Sequence, residues 1–280
     1  KPEDTFKYMF DDICNDLQFD LNMLNTTYTY SFVIQHPNNR IVKPIYKKAL
    51  YLVEIYKIDG LIIEQMPLTD LHSTYGISPN VLIPKSFAIS SQHDIQMSID
   101  TWASSNTSYD ILGVIFKNNI GHRYKFRNPN YEHVRKLRGN QPKLQFQYLH
   151  LRKTGYVKEY LTYYKEHRKI FEEYRELMHD YTTTLYENYV RCYIKKEKEL
   201  KEFPEKYKTL MYKLHYDVYL PKLRENKLSM SKGVVIDYVN NLPAAKQMFM
   251  FNYDLRKNNK TTTQIDNNEK MIPAIPVEAV

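Results

Sequence analysis

Apolar residues recur at three- and four-residue steps through Phe6, Met9, Phe10, Ile13 and Leu17. That spacing gathers them on one helical face and predicts a helix over residues 5 to 17. The period then changes to two. Tyr28, Tyr30, Phe32 and Ile34 alternate with Thr29, Ser31, Val33 and Gln35, the signature of a strand with one buried face. His36, Pro37, Asn38 and Asn39 follow as a turn, because Pro fixes its own φ and Asn tolerates left-handed geometry. A second strand is expected at residues 40 to 42. A third is expected at 49 to 57, where the run ALYLVEIYK is apolar enough for the centre of a sheet. Asp59-Gly60 closes it, and residues 61 to 65 pair back as a hairpin. Residues 67 to 84 read as irregular, and residues 90 to 104 as a helix with Ile95, Ile99 and Trp102 on one side. Residues 110 to 117 and 122 to 127 form a second hairpin across Asn118, Asn119, Ile120 and Gly121.

After Tyr131 the periodicity is helical. Tyr156, Tyr160, Tyr163, His167, Phe171, Tyr174, Met178, Tyr181, Leu185 and Tyr189 form a continuous stripe, which predicts one long helix or two abutting helices from about 155 to 201. Pro204 marks the next helix start, residues 207 to 220 continue at helical spacing, and Pro221 ends them. A last helical pair covers 231 to 240 and 243 to 253. From Lys257 the run KNNKTTTQIDNNEK lacks apolar periodicity and reads as a disordered tail. The expected fold class is α+β: an antiparallel-sheet domain over 1–138, a basic all-helical domain over 139–256 and a tail over 257–280.

Composition narrows the function. At 280 residues, with 42% hydrophobic and 26% charged residues, the chain is an ordinary globular one of two domains. No run reaches the roughly 18 apolar residues of a membrane helix, and KPEDTFKYMF lacks the apolar stretch of a secretory signal. The expected location is the cytoplasm, without membrane association. Cys14 and Cys192 stand alone, with no CxxC pattern, which supports neither a disulfide framework nor a zinc site. The first residue is Lys1 rather than Met, as in a processed product or a fragment. Residues 131 to 257 hold 26 basic and 16 acidic residues. The positive balance therefore sits in the helical half, where it is either a solvated surface or a field for phosphate backbones.

One segment carries a more specific signal. The run TYTYSFVIQHPNNRIV, residues 27 to 42, resembles the third nucleotidyltransferase motif of RNA ligases of the T-even phage type, a group whose relatives include ligase-like proteins of giant DNA viruses. TFKYMFDDICNDLQFDL resembles the helix that precedes that motif, and ALYLVEIYK falls where the family has its next strand. Leu112-Gly113-Val114 lies where the fourth motif, Glu-Gly-aliphatic, is expected. Lys125-Phe126-Arg127-Asn128-Pro129-Asn130-Tyr131 resembles the fifth. The likeness spans about residues 5 to 138. It implies a nucleotidyltransferase core using ATP and Mg²⁺, in which a Lys-x-Asp-Gly lysine takes AMP covalently and passes it to a 5′-phosphorylated RNA end.

Three departures limit that chemistry. No Lys-x-Asp-Gly precedes the helix; Lys57-Ile58-Asp59-Gly60 matches as a string but follows the third motif, and is read as a hairpin turn. The third-motif glutamate falls on Val33, and the fourth on Leu112, with Asp110 the nearest substitute on the same strand face. The fifth motif survives as Lys125 and Arg127, where Arg adds a bidentate fork for phosphate. The candidate nucleotide- or phosphate-binding residues are therefore Lys125, Arg127, Arg123, Gln35 and Arg40, with no catalytic or metal-ligating residue assigned. His36 and Arg40 also have a structural reading, Arg40 capping carbonyls of the hairpin. The Tyr stripe is read as an interhelical core rather than a base-stacking track. Arg191, Lys195, Lys196, Lys198 and Lys201, interleaved with Glu197, Glu199 and Glu202, predict intrahelical ion pairs.

The expected function is thus a ligase-like fold, catalytically degenerate or a fragment, that binds a nucleotide or RNA phosphate. Two alternatives stand beside it: an active ATP-dependent RNA ligase with its nucleophile upstream of Lys1, and a structural protein of a viral particle or factory docking a protein partner through its helical half.

Overall fold

The computed structural model describes residues 5–118, 121–141 and 143–258. The chain divides into two compact units, Lys1–Arg138 and Gly139–Val280. The first is mixed α and β with antiparallel sheets, and the described residues of the second are helical without a strand.

In the first unit, helix α1 (Phe6–Asp16) opens at Thr5, whose hydroxyl accepts from the Tyr8 N–H at 3.2 Å. This is the N-cap arrangement that satisfies one orphan donor. Strands β1 (Tyr28–Gln35), β2 (Ala49–Asp59) and β3 (Ile62–Met66) form an antiparallel sheet with β2 in the centre. Gly60, at φ +58°, opens the two-residue turn between β2 and β3, a position that suits a residue without Cβ. Tyr28, Tyr30, Phe32 and Ile34 turn inward onto a core of Ile13, Phe19, Leu50, Leu52, Ile55, Tyr75 and Ile77. Burial of each such large apolar side chain stabilises the fold by about 1.5–3 kcal/mol.

The β1–β2 ladder contains a bulge. Phe32 lies opposite Leu52, but Ser31 lies opposite Glu54, so Val53 is the extra residue. Directly paired residues share a face. Leu50, Leu52 and Ile55 therefore point into the core, whereas Glu54 and Tyr56 lie on the other face with Ser31 and Thr29.

The strand expected at residues 40 to 42 does not form. The His36 carbonyl accepts from the Asn39 N–H at 2.9 Å, and Arg40 Nε donates to the Val42 carbonyl at 3.2 Å. These local bonds satisfy backbone groups that a ladder would otherwise use. Residues 67 to 84, read as irregular, contain the short helix α2 (Leu71–Tyr75). Helix α3 (Gln92–Trp102) starts with a capping box between Ser91 and Asp94, as P-rich and Ser-rich loops entering helices often do through such side chains. Strands β4 (Gly113–Lys117) and β5 (Arg123–Arg127) pair as a hairpin whose turn residues Asn119 and Ile120 lie outside the described residues. β4 starts at Gly113 rather than at 110, because residues 109 and 110 are in a turn. Helix α4 (Pro129–Arg138) closes the unit.

The second unit begins with α5 (Leu144–Thr154), followed by α6 (Val157–Tyr163) and the long α7 (Arg168–Tyr189), separated by a 3₁₀ turn at Lys165–His167. α7 runs on through a π turn, Val190–Ile194, and stops there rather than near 201. Lys196 in the left-handed region (φ +55°) breaks the helical path. α8 (Glu205–Lys213) follows Pro204 and widens into a π-helical stretch, Leu214–Arg224, that contains Pro221. Pro221 therefore does not end the helix: the wider i→i+5 turns tolerate interruption of the usual ladder. α9 (Lys232–Asn241) and α10 (Ala244–Phe251) complete the unit. Of the Tyr stripe, Tyr160, Phe171, Met178, Tyr181, Leu185 and Tyr189 are buried. Tyr160 stacks on Tyr164 and Phe171 with ring centroids 4.5 and 5.3 Å apart, so these residues of the stripe are core, whereas Tyr156 is exposed. Residues 257 and 258 are helical, and the rest of the expected tail lies outside the described residues. Among the described residues no helix is long and apolar enough to cross a membrane.

Candidate phosphate-binding face

β4 and β5 pair so that Lys117 faces Arg123, Ile115 faces Lys125 and Gly113 faces Arg127. Because strand side chains alternate, Lys117, Arg123, Lys125 and Arg127 lie on one face of the hairpin. The close approach at its base requires Gly113. Its φ is +135°, and a Cβ there would lie 2.1 Å from the Phe126 carbonyl oxygen.

Two of the cations reach the second face of the β1–β2–β3 sheet. Lys117 Nζ lies 2.8 Å from one oxygen of Glu54, and Arg123 lies 3.0 Å from the other. Arg123 also donates to the Tyr56 hydroxyl. Glu54 is only 8% exposed at its side chain, against 26% for Lys117 and 35% for Arg123. A carboxylate that far from water requires such counter-charges. At the other end of β5, Arg127 lies 2.7 Å from Glu132, which Arg135 also reaches at 3.1 Å. The guanidinium of Arg127, with Arg135 beside it, holds the Glu132 carboxyl below the usual carboxylate range despite some desolvation. Between these two neutralised ends stands Lys125, exposed and without a carboxylate partner among the described residues.

Asn128 holds this face to the loop before it. Its side chain is fully buried and donates to the carbonyls of Ser108 at 2.7 Å and Ile111 at 2.9 Å. Its oxygen accepts from the Asn130 N–H at 2.9 Å. With Pro129 as the first helical residue, Asn128 thus caps α4. Residues 125 to 131 are thus the end of a strand followed by a helix cap and the first turn of α4.

Of the five candidates, Arg123, Lys125 and Arg127 share one strand. Gln35 lies at the far end of β1, opposite Ala49. It is four residues from Ser31, about 13 Å at roughly 3.3 Å per residue. Arg40 lies beyond that end, after the turn. Sequence reasoning missed Glu54, Lys117, Tyr56 and Asn128. The available signal was Glu54 itself, one acid inside an apolar strand run, which needs a partner when buried.

The positions where the resembling family has glutamates do not form an acidic site. Val33 is 51% exposed and Leu112 50% exposed, and Asp110 lies in the turn before β4, outside the strand on which it was expected to share a face with Leu112. Lys57 pairs with Glu64 in the β2–β3 ladder, three residues before the turn. Among the described residues no three His, Cys, Asp or Glu side chains gather to hold a metal ion. Glu54 is already countered by two cations. This donor set does not fit Mg²⁺, which is held through carboxylates that face it.

His36 forms a separate cluster. Its Nδ1 accepts from the Asn38 N–H at 3.1 Å, so Nε2 carries the hydrogen directed at Asp12, 2.9 Å away. Lys48 reaches Asp12 at 2.7 Å and Asp16 at 2.8 Å. Lys48 first, and His36 second, hold the Asp12 carboxyl below the usual range. The cluster fastens α1 to the turn after β1.

No model of a known protein family and no curated protein matches this chain.

Proposed function

We propose that the protein binds a nucleotide or RNA phosphate on the β4–β5 face and does not transfer an adenylyl group through its described residues. The observation that carries this reading is Lys125: an exposed ammonium flanked on its own strand by Arg123 and Arg127, whose charges are positioned by Glu54 and Glu132. A phosphate oxygen on Lys125 would lie between two guanidinium groups that Glu54 and Glu132 hold in place. The resemblance to ligase motifs supports a nucleotidyltransferase-like relative. The apolar residues at the two glutamate positions, together with the unsuitable donor set for Mg²⁺, favour a pseudoenzyme.

The test is binding of single-stranded RNA to the full chain at several salt concentrations. Affinity should fall steeply with salt, and Lys125→Ala should weaken it several-fold and flatten the salt slope by about one unit. Salt-independent binding, or no change in Lys125→Ala, overturns the reading. Incubation of the full-length protein with radiolabelled ATP and Mg²⁺ should leave it unlabelled; covalent label would establish the ligase alternative instead.

A further inference from the structure

The second unit contains an open cavity of about 510 Å³, within the range of small-molecule sites. It lies where α7 ends, between the loop after Ile194 and the start of the π-helical stretch. Tyr193, Tyr212 and Tyr216 line it together with Lys196 and Lys198, and the acids Glu197, Glu199 and Glu202 are also in its lining. We propose that this cavity binds a nucleotide, its base against Tyr212 and Tyr216 and its phosphate on Lys196 and Lys198. The site is separate from the β4–β5 face and does not depend on the reading given for it.

Two kinds of observation carry the proposal. Tyr212 and Tyr216, at i and i+4, have ring centroids 4.3 Å apart and are 50% and 47% exposed. Large aromatic surface left open beside a cavity suits a planar ligand, because any base presents a π-face. Behind them Tyr193 is fixed against His215, with ring centroids 3.9 Å apart and planes 10° from parallel. Like any tyrosine near neutral pH it is uncharged, and burial raises its hydroxyl further, to about 12.

The second observation is the balance of charge. Glu197 is held by Arg191 at 2.9 Å and by Lys195 at 3.7 Å. Glu199 is held by Lys201 at 2.6 Å, and Glu202 accepts from the Glu199 N–H at 2.7 Å. Lys196 and Lys198 have no such partner among the described residues. Two of the three lining acids are thus held by cations, the third accepts a backbone N–H, and two ammonium groups remain. That combination favours an aromatic anion, with a quaternary ammonium ion drawn to Glu202 and the tyrosine rings as the competing outcome.

Calorimetric titration of the full chain with AMP, adenosine and choline at low ionic strength tests the proposal. AMP should bind at least tenfold more tightly than adenosine. Lys196→Ala with Lys198→Ala should bring AMP down to the adenosine level. Tyr212→Ala with Tyr216→Ala should remove both when measured in the Lys125→Ala background, where the β4–β5 face does not contribute, whereas Tyr212→Phe with Tyr216→Phe should keep them, with unchanged circular dichroism showing that the variants fold. Lys125→Ala, in the other unit, should leave AMP binding at this cavity unchanged. No AMP binding at millimolar concentration, equal affinity for AMP and adenosine, preference for choline, or AMP binding lost in Lys125→Ala but kept in the lysine double variant would each overturn it.

Discussion

The ammonium of Lys117 lies 2.8 Å from the carboxylate of Glu54. Lys117 belongs to the β4–β5 hairpin and Glu54 to the central strand of the three-stranded sheet, so this pair, with Arg123 on the other carboxylate oxygen, fastens the candidate phosphate face to the core of its unit.

Glu54→Gln should destabilise the protein by about 2–3 kcal/mol. Removing one member of a largely buried ion pair leaves its partners uncompensated; the partial exposure of Lys117 and Arg123 keeps the loss at the lower end. The same change should tighten RNA binding, because two cations are released to phosphate. Urea unfolding and filter binding measure the two effects, and an unaltered unfolding midpoint would show that the pair does not hold the hairpin.

Gly113→Ala should cost about 2 kcal/mol or more. Its backbone is in a region that L-residues avoid, and the added methyl would meet the Phe126 carbonyl. The expected consequence is loosening of β4 from β5 and loss of RNA binding in parallel with stability. Faster amide hydrogen exchange confined to the hairpin would be the direct sign; unchanged protection there would contradict it.

Asn128→Ala should destabilise by about 2–3 kcal/mol. It removes the cap of α4 and strips the carbonyls of Ser108 and Ile111 of their donor in a buried setting. Asn128→Asp should not rescue it, because the carboxylate keeps the cap but cannot donate to those carbonyls. Thermal unfolding of the two variants side by side separates the roles.

Asp12 has a depressed carboxyl, so it stabilises the folded chain fully above the ordinary carboxylate range, near pH 4, and that contribution disappears as pH falls through its lower folded value. Glu132, depressed chiefly by Arg127, acts in the same direction. Urea midpoints should therefore drop between about pH 4 and pH 2. Asp12→Asn should be less stable at pH 7 and lose less on acidification. An equal acid loss in wild type and variant would exclude the Lys48 and His36 contacts as its source.

Much of the local structure is written in the apolar pattern. The run from Thr5 fixes α1, the alternation over residues 28 to 35 fixes β1 and its buried face, and Asp59-Gly60 fixes the β2–β3 turn, because these depend on neighbours three or four residues away at most. The segment at residues 40 to 42 was misread because Arg40 bonds the Val42 carbonyl, a local contact that strand propensity does not report. Pro221 was misread for a similar reason, since the width of a helical turn depends on what packs around it.

By itself the sequence determined the helical and extended periods, the inward stripe of tyrosines and the row of cations at 123, 125 and 127. Tertiary structure alone decided which of those cations has no carboxylate partner among the described residues. Simple alternation along ALYLVEIYK puts Glu54 on the face of Leu50 and Leu52, in the core. The bulge at Val53 turns it to the opposite face, where Lys117 and Arg123 meet it. A register shift depends on pairing between strands, and charge pairing across a fold depends on contacts distant in the chain, so neither could be read from spacing alone.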